Sequence, residues 1–222
     1  MSILAIIYKG ILFRIHARLT KYLIKPTLLK VHRAFLEERH VRNCQVVLNR
    51  ELMLQKLGER KTAVELGVFQ GDFSAKILEI CNPDLLVLVD IWASKKYSES
   101  VYRDLMQRFS KEIKGKRIKI CRKLSTDAAS DFEDNQFDLV YIDTDHSYEV
   151  TLAELKAYST KVKKEGVIAG HDYTRCYLSG GRSWVIEAVH EFCVQYNWEI
   201  IFITAETLES RSFAIKRIKD SV

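Results

Sequence analysis

Five side chains that can bind a metal ion or move a proton lie directly after two short apolar runs, at residues 137–142 and 166–169. These side chains are Asp143, Asp145, His146, His171 and Asp172. If the two runs are neighbouring strands, the five groups meet at one edge of a sheet. Carboxylate oxygens suit a hard divalent cation such as Mg²⁺, and imidazole can bind a transition metal. The alternative is that His171 and Asp172 only hydrogen-bond each other at the end of a strand.

A second group of residues is suited to binding a nucleotide-like ligand. Within residues 63–78, an apolar strand containing Glu65 runs into a loop with Gly67 and Gly71, and a helix follows. The glycines permit positive φ and a close approach of the backbone to a ligand, and the start of a helix offers free N–H groups. The next apolar strand ends in Asp90, where an acid can accept hydrogen bonds from ribose hydroxyls.

The spacing of this loop narrows the ligand class. A nicotinamide-binding fingerprint needs a glycine where Phe69 stands, and a phosphate-binding loop needs Lys and Ser or Thr after Gly71. A carboxylate beside a pyrophosphate would repel it, so the ligand carries little negative charge. S-adenosylmethionine, a zwitterion with a sulfonium, suits such a site.

At these residues the chain resembles the class I S-adenosylmethionine-dependent methyltransferases, over roughly residues 52–216. Their first motif resembles ELGVFQG, their ribose-binding second motif resembles VDIW, and the segment beside the adenine resembles KLSTDAA. FDLVYIDTDHSYE and GVIAGHDY resemble one branch of the family, which holds macrolide sugar O-methyltransferases and cephalosporin-hydroxylase-like proteins.

The resemblance implies that the cofactor contacts several motifs at once. The expected contact residues are Glu65, Gly67, Val68, Phe69, Gly71, Ser74, Asp90, Ile91, Trp92, Ser125 and Asp143. Among them, Trp92 is expected to cover the adenine face or to pack in the interior. Ser74 is expected to bind the methionine carboxylate, and Ser125 to reach the adenine edge.

The resemblance also implies a metal site and a general base. In the sugar O-methyltransferases, an acid after the fourth strand and an acidic pair after the fifth hold magnesium. Asp143 matches the first acid and Asp172 the last, while His171 replaces the middle one, so the expected ligands are Asp143, His171 and Asp172. His146 matches the base of those enzymes, and imidazole titrates near the working pH. We therefore expect His146 and Asp143 to be catalytic, unless His146 only caps the following helix.

Composition favours one enzyme domain in a reducing compartment. The 222 residues are 47% hydrophobic with only 2 Pro, which is enough to bury one substantial core. The 5 cysteines are odd in number and none has C-x-x-C spacing, so reduced thiols and a cytoplasmic location are expected.

Positive charge is concentrated in the first 50 residues, which we expect to form a helical extension ahead of a methyltransferase domain at residues 51–222. The extension has ten Lys or Arg against two acids, whereas the whole chain has a net charge of only +6. The remainder is therefore slightly acidic, and no nucleic acid partner is expected. Residues 2–24 are too interrupted by charge to span a bilayer. Three roles remain open for this segment: a cap over the substrate cleft or a homo-oligomer contact, peripheral contact with an anionic membrane, and a mobile tail.

Alternating apolar runs and helical segments predict an α/β, doubly wound, Rossmann-like sheet. It should be mainly parallel with an antiparallel C-terminal edge. The predicted strands are residues 63–66, 85–90, 117–121, 137–142, 166–169, 199–203 and 212–216. The predicted helices are residues 73–80, 98–114, 126–132, 150–163 and 183–196.

These features together predict a methyltransferase that uses S-adenosylmethionine, and a divalent cation such as Mg²⁺, to methylate a hydroxyl. The acceptor would be a sugar, a glycolipid or another small molecule. One alternative is an oxygenase resembling the cephalosporin hydroxylases, which would need iron. The other is a catalytically silent methyltransferase-like module that binds membrane or protein through its basic N-terminus.

Overall fold

A computed structural model describes residues 34–93, 98–174, 184–207 and 210–219 of the chain. Residues 1–33, most of the expected N-terminal extension, lie outside these ranges. The described strands are β1 (Gln45–Val47), β2 (Thr62–Leu66), β3 (Leu85–Val89), β4 (Ile118–Cys121), β5 (Phe137–Ile142), β6 (Val162–Gly170), β7 (Trp198–Thr204) and β8 (Phe213–Arg217). The helices are α1 (Arg50–Leu57), α2 (Asp72–Ile80), α3 (Glu99–Arg108), α4 (Ser110–Lys114), α5 (Ser125–Ala128), α6 (Tyr148–Ser159) and α7 (Val185–Tyr196).

The strands form one sheet in the order β1-β7-β8-β6-β5-β2-β3-β4. Strand β8 pairs antiparallel with both β6 and β7, and the other pairs are parallel. The predicted fold class, with an antiparallel pair on the C-terminal side, is confirmed. Strand β1 adds an outer strand beside β7, so the sheet begins ahead of the boundary expected at residue 51. This strand has only three residues, two of them exposed, and gives little apolar signal in the sequence.

Both faces of the sheet are buried, which explains why its central strands are apolar at almost every position. On one face, a buried cluster includes residues of β2, β3 and β5 together with residues of α6 and α7, among them Leu155 and Val189. On the other face, a second buried cluster includes residues of the sheet together with residues of α1, α2 and α3, among them Leu54 and Ile77. No helix in the described ranges is long and apolar enough to cross a bilayer.

The predicted helix over residues 150–163 ends at Ser159, earlier than expected. Arg217 on β8 donates hydrogen bonds to the carbonyls of Ser159, Val162 and Lys163. These bonds satisfy carbonyls that a helix would otherwise use or leave unpaired at its end. Because Arg217 lies 58 residues from Ser159, no local pattern reveals this ending.

The two glycines of the loop differ in which atoms lie close to them. Gly67 and Gly71 have similar φ angles, +83° and +78°. An alanine Cβ at Gly67 would lie 2.0 Å from the carbonyl oxygen of Asp143, whereas at Gly71 it would lie 2.6 Å from the ring of Phe109. A ring can shift, but the end of a central strand cannot.

We therefore expect Gly71→Ala to lower the free energy of unfolding by about 1–3 kcal/mol through left-handed strain and overpacking. Gly67→Ala should lower it by about 4 kcal/mol or more, or prevent folding. Urea unfolding followed by circular dichroism measures both changes. Equal losses for the two variants would contradict a direct contact between the backbones of Gly67 and Asp143.

Candidate functional site

A cleft of about 530 Å³ opens at the carboxyl ends of β2, β3 and β5, where the strand order reverses. The lining residues are Gly67, Val89, Asp90, Ile91, Lys123, Leu124, Ser125, Asp143, Thr144, Asp145 and Val150. Five of the expected cofactor contacts therefore line one cavity: Gly67, Asp90, Ile91, Ser125 and Asp143. Its largely apolar wall suits a flat, weakly charged group such as a purine.

A smaller pocket of about 200 Å³ adjoins the cleft and shares Gly67 and Asp143 with it. The other lining residues are Arg50, Glu65, Val68, Phe69, Gln70, Asp72 and Phe73. Three further expected cofactor contacts, Glu65, Val68 and Phe69, lie here. The expected contacts thus divide between two neighbouring spaces that share Gly67 and Asp143.

Three expected contacts, Gly71, Ser74 and Trp92, line neither space. Trp92 is 1% exposed, and its ring nitrogen donates to the carbonyl of Phe69 at 3.0 Å. Trp92 therefore packs in the interior, which was the second of the two expectations for it, and it supports the glycine loop through Phe69. Ser74 is fully buried and donates to Glu65. Its hydroxyl is occupied inside the protein and does not face the pocket.

Asp90 shapes the glycine loop through three hydrogen bonds. One carboxylate oxygen accepts from the backbone N–H groups of Val68 and Phe69, at 2.9 and 3.0 Å, and the other accepts from Trp92 N–H at 3.1 Å. A carboxylate has about four acceptor positions, so one remains for a ligand. Its expected contact with ribose stays a prediction, and the structure adds a loop-ordering role.

Glu65 is a buried acid beneath the smaller pocket. Burial raises the pKa of Glu65 to about 8, against the opposing effect of the hydrogen bond from Ser74. The carboxyl is therefore mostly protonated at neutral pH in the ligand-free protein, and it adds little negative charge to the pocket above it.

The acids and histidines that follow β5 and β6 come together at one side of the cleft. Asp172 is central, since one of its oxygens lies 3.3 Å from Nδ1 of His146 and 3.2 Å from Nδ1 of His171. Asp143 lies 3.9 Å from Nδ1 of His171. His171 and Asp172 hydrogen-bond each other, which is the contact that the alternative to a metal site describes. The helix-capping alternative for His146 is wrong, because Ser147 caps α6.

Among the described residues, Asp143, His146 and Asp172 are within metal-binding range of one another, since their candidate ligand atoms all lie within 4.8 Å. His171, expected as a ligand, continues the sheet by donating its backbone N–H to Ile142 and is more buried than His146. The expected set of Asp143, His171 and Asp172 stays a prediction, and the structure offers His146 as an alternative to His171 for the third ligand.

The two acids of this cluster have opposite electrostatic environments. Burial raises the pKa of Asp143. Burial also disfavours the charged form of Asp172, but the hydrogen bond from His171 and the nearby His146 hold its pKa at about 2. Asp172 is therefore a permanent carboxylate. Burial would lower the pKa of His171, but contact with both acids raises it.

The backbone around the cleft is locally strained. Non-glycine residues with positive φ include Phe69 at 52°, Trp92 at 43°, His146 at 65° and Asp172 at 53°. Each such residue costs about 1–2 kcal/mol relative to a right-handed conformation. The surrounding hydrogen bonds offset that cost and fix the direction in which each side chain points.

Sequence reasoning missed Glu154, which joins two walls of the cleft. Glu154 is fully buried on α6 and accepts hydrogen bonds from the hydroxyls of Ser125 and Thr144, both of which line the cleft. The sequence did contain a signal for a buried acid, because Glu154 lies between Leu152 and Leu155 on the buried side of α6. A buried acid requires such partners.

Comparisons with known proteins agree with this geometry. A family model described as a methyltransferase domain matches residues 64–173. Among solved structures, a candidate rRNA-methylase from Clostridium thermocellum is 14% identical over 79% of this chain and 99% of its own, with a TM-score of 0.58. A SAM-dependent methyltransferase from Aquifex aeolicus is 12% identical over 76% of this chain and 89% of its own, with a TM-score of 0.55.

A methyltransferase from Podospora anserina, bound to S-adenosylhomocysteine, is 15% identical over 77% of this chain and 76% of its own, with a TM-score of 0.54. At such identities, these likenesses show the fold alone. No curated protein sequence matches the chain.

Glu154 makes stability depend on pH. Burial raises the pKa of Glu154 from an ordinary 4.5 to about 7. Between these values the unfolded chain releases a proton that the folded protein keeps, so stability falls as pH rises and levels off above about 7. This acid should contribute up to about 3 kcal/mol to that fall.

We expect Glu154→Gln to flatten the decline in unfolding free energy between pH 5 and 7.5, measured by urea titration at several pH values. Glu79→Gln removes an exposed acid from α2 and is the control, with no expected change in slope. A slope in Glu154→Gln equal to that of the wild type would contradict the raised pKa.

Proposed function

Since the chain has a class I S-adenosylmethionine-dependent methyltransferase domain, we propose that it is an O-methyltransferase acting on a hydroxyl of a sugar, glycolipid or other small molecule. The observation that carries this proposal is the contact of His146 with Asp172 beside Asp143 at the lip of the cleft. Oxygen acceptors must lose a proton on methylation, and this arrangement supplies a base.

The described residues fit the proposed cofactor. The loop from Gly67 to Gly71 leaves backbone close to the cleft, Asp90 retains an acceptor position, and the cleft wall is mainly apolar. Bound there, S-adenosylmethionine supplies a methyl group on a positively charged sulfur, which a nucleophilic oxygen can attack. The residues of the chain then need only align the acceptor and remove its proton.

His146 is well arranged to be that base. The Asp172 carboxylate near Nδ1 favours the tautomer with a proton on that nitrogen, which leaves Nε2 free to accept a proton. When the acceptor hydroxyl is methylated, its proton would pass to Nε2 of His146. The resulting imidazolium is stabilised by Asp172, because the low pKa of Asp172 keeps it ionised.

The same cluster can hold a divalent cation. In that case His146 would be either the general base or a metal ligand, and experiments can distinguish these two roles. With Asp143, His171 and Asp172 as ligands, a cation would bind the acceptor oxygen and favour loss of its proton, while His146 remains the base. With Asp143, His146 and Asp172 as ligands, His146 would be occupied by the metal. Removal of metal and replacement of His146 therefore have different expected effects.

The alternatives receive less support. The methyltransferase-domain match does not favour an oxygenase or a silent binding module. The likeness to a candidate rRNA-methylase reflects a shared fold at 14% identity and does not carry an RNA substrate over to this chain. Small hydroxylated acceptors remain the proposed class.

The cofactor assignment predicts selective binding. By calorimetry, the wild-type protein should bind S-adenosylmethionine and S-adenosylhomocysteine in preference to NAD. Asp90→Ala should weaken this binding by about 1–3 kcal/mol, because it removes a carboxylate acceptor and releases the glycine loop. Asp84→Ala is a control with no expected effect, because Asp84 directly precedes β3, at the end of the strand opposite to Asp90. Failure of the wild type to bind either adenosyl ligand would exclude the cofactor assignment.

The base assignment predicts a loss of chemistry without a loss of cofactor. His146→Ala should slow methyl transfer by roughly 100-fold to 10,000-fold and remove the limb of the pH–rate profile near neutrality. An acceptor is first found by screening hydroxylated sugars and glycolipids for release of S-adenosylhomocysteine. A wild-type rate and pH profile in the variant would exclude the base.

Chelation tests the cation separately. If a cation aligns the acceptor, exhaustive chelation and Asp172→Ala should each abolish turnover, while binding of S-adenosylhomocysteine is largely retained. Full activity after chelation, with metal analysis confirming its removal, would exclude a catalytic cation. His146→Ala should keep its metal content if His171 is the third ligand and lose it if His146 is.

A further inference from the structure

A polar pocket of about 530 Å³ lies at the end of the sheet opposite to the cleft, where β7 begins and β8 ends. It is at the opposite end because β7 runs in the same direction as β5. A pocket of this volume is large enough for a small molecule. Its described lining has one acid, Glu199, against four cations, so the excess of positive charge favours an anionic ligand. The cations are Arg39, Arg42, Lys216 and Lys219.

The deepest lining group of this polar pocket is a buried acid. Glu199 is 4% exposed, accepts a hydrogen bond from Asn43 at 2.7 Å and lies 3.5 Å from Nζ of Lys216. Glu199 and Lys216 are paired across β7 and β8, so the sheet holds them side by side. A carboxylate here repels a bare phosphate, but it can accept hydrogen bonds from hydroxyl groups. The pocket therefore suits a ligand that has both kinds of group.

Two cations at the rim of the polar pocket have weak partners that a ligand can replace. Arg42 lies 4.0 Å from Glu38, which is beyond hydrogen-bond distance, and Lys219 lies 2.9 Å from Glu165. All four side chains are at least 65% exposed. Ion pairs between such exposed groups contribute little to stability. Arg42 and Lys219 can therefore turn toward a phosphate at small cost.

The segment that precedes the described residues cannot supply an anion to this pocket. Residues 1–33 contain seven Lys or Arg and no acid. A segment of the same sign of charge as the lining would be repelled by it. The polar pocket and residues 1–33 instead favour the same kind of partner, a negatively charged one.

We propose that the polar pocket binds a phosphorylated polyol, which is either a soluble sugar phosphate or the phosphorylated headgroup of a lipid. The phosphate contacts Arg42 and Lys219 at the rim, and hydroxyl groups contact Glu199 deeper in the pocket. Both sources present a phosphate next to hydroxyl groups, which is the chemistry that this lining recognises. The inference is independent of the proposed function, because no residue that lines the polar pocket lines the cleft.

Calorimetry on the full chain tests the phosphate contacts with glucose 6-phosphate and inositol monophosphate. The wild type should bind at least one of them, and glucose without phosphate should bind at least about 10-fold more weakly. Arg42→Gln combined with Lys219→Gln should weaken binding of the phosphorylated ligand by about 10-fold or more, because each change removes a charged donor. Circular dichroism checks that this rim variant is folded.

The matched control combines Arg103→Gln with Lys111→Gln, which removes the same charge from exposed residues of α3 and α4. It should retain the wild-type affinity. Unchanged affinity in the rim variant, or an equal loss in the control, would overturn the inference, as would failure of the wild type to bind either phosphorylated ligand. Binding of S-adenosylhomocysteine is measured on the same samples, and its failure would count against the proposed function alone.

Glu199→Gln tests the hydroxyl contacts separately. The wild type should prefer the sugar phosphate to inorganic phosphate by about 10-fold, since only the former offers hydroxyl groups to Glu199. The variant removes the charge that repels phosphate and weakens the bonds from hydroxyl groups, so this preference should fall to about twofold or less. An unchanged preference in the variant would overturn the assignment of hydroxyl groups to Glu199.

Flotation distinguishes the two sources of the ligand. Phosphatidylcholine vesicles are prepared with phosphatidylinositol phosphate or with an equal charge of phosphatidylserine, which attract the basic residues 1–33 alike. Greater recovery with phosphatidylinositol phosphate, lost in the rim variant, assigns the pocket to a lipid headgroup. Binding of glucose 6-phosphate or inositol monophosphate without such selective recovery assigns it to a soluble ligand. Absence of both results overturns the inference.

Discussion

The crossing of Gly67 over the main chain of Asp143 is the contact on which the rest of the site depends. At this point the ends of three central strands, β2, β3 and β5, are joined: Asp143 N–H donates to Leu66, and Gly67 N–H donates to Val89. A Cβ at Gly67 would lie 2.0 Å from the Asp143 carbonyl oxygen, so the two backbones are in direct contact. This contact places the glycine loop, which begins at Gly67, beside the acid–histidine cluster, which includes Asp143.

Buried acids then fix the parts that meet at this crossing. Asp90 holds the glycine loop by its backbone N–H groups, Glu65 holds the start of α2 through Ser74, and Glu154 joins the β4–α5 and β5–α6 connections. Burying an acid is unfavourable unless its oxygens are hydrogen-bonded. The raised pKa values of Glu65 and Glu154, about 8 and 7, record that cost. The cleft is thus pre-organised at the expense of stability.

Asp172 gives the opposite case, an acid that remains charged. Its contacts with His146 and His171 hold two imidazoles in fixed positions, and its low pKa keeps the negative charge available across the working pH range. Left-handed backbone at His146 and Asp172 turns these side chains toward one another. Such strain persists where surrounding structure enforces it, and it commonly occurs at functional sites.

Much of the fold could be predicted from sequence because its signals are local. Apolar runs of five or six residues mark central strands buried on both faces, and Gly67 and Gly71 mark a loop that needs positive φ. The doubly wound sheet followed from the alternation of these strands with helices, and the position of the cleft followed from the rule that ligands bind beyond the carboxyl ends of the strands. Eight of the eleven expected cofactor contacts line the two neighbouring spaces for the same reason.

The remaining features are set by contacts between distant parts of the chain. Trp92 and Ser74 face inward because Phe69 and Glu65 bind their polar atoms. Arg217 ends a helix 58 residues away, and Glu154 reaches Ser125 across 29 residues. The sequence by itself determined which residue types could bind an adenosyl ligand and move a proton. Only the tertiary structure decided which of them face the cleft, because that depends on which partner each polar group meets when the strands pack.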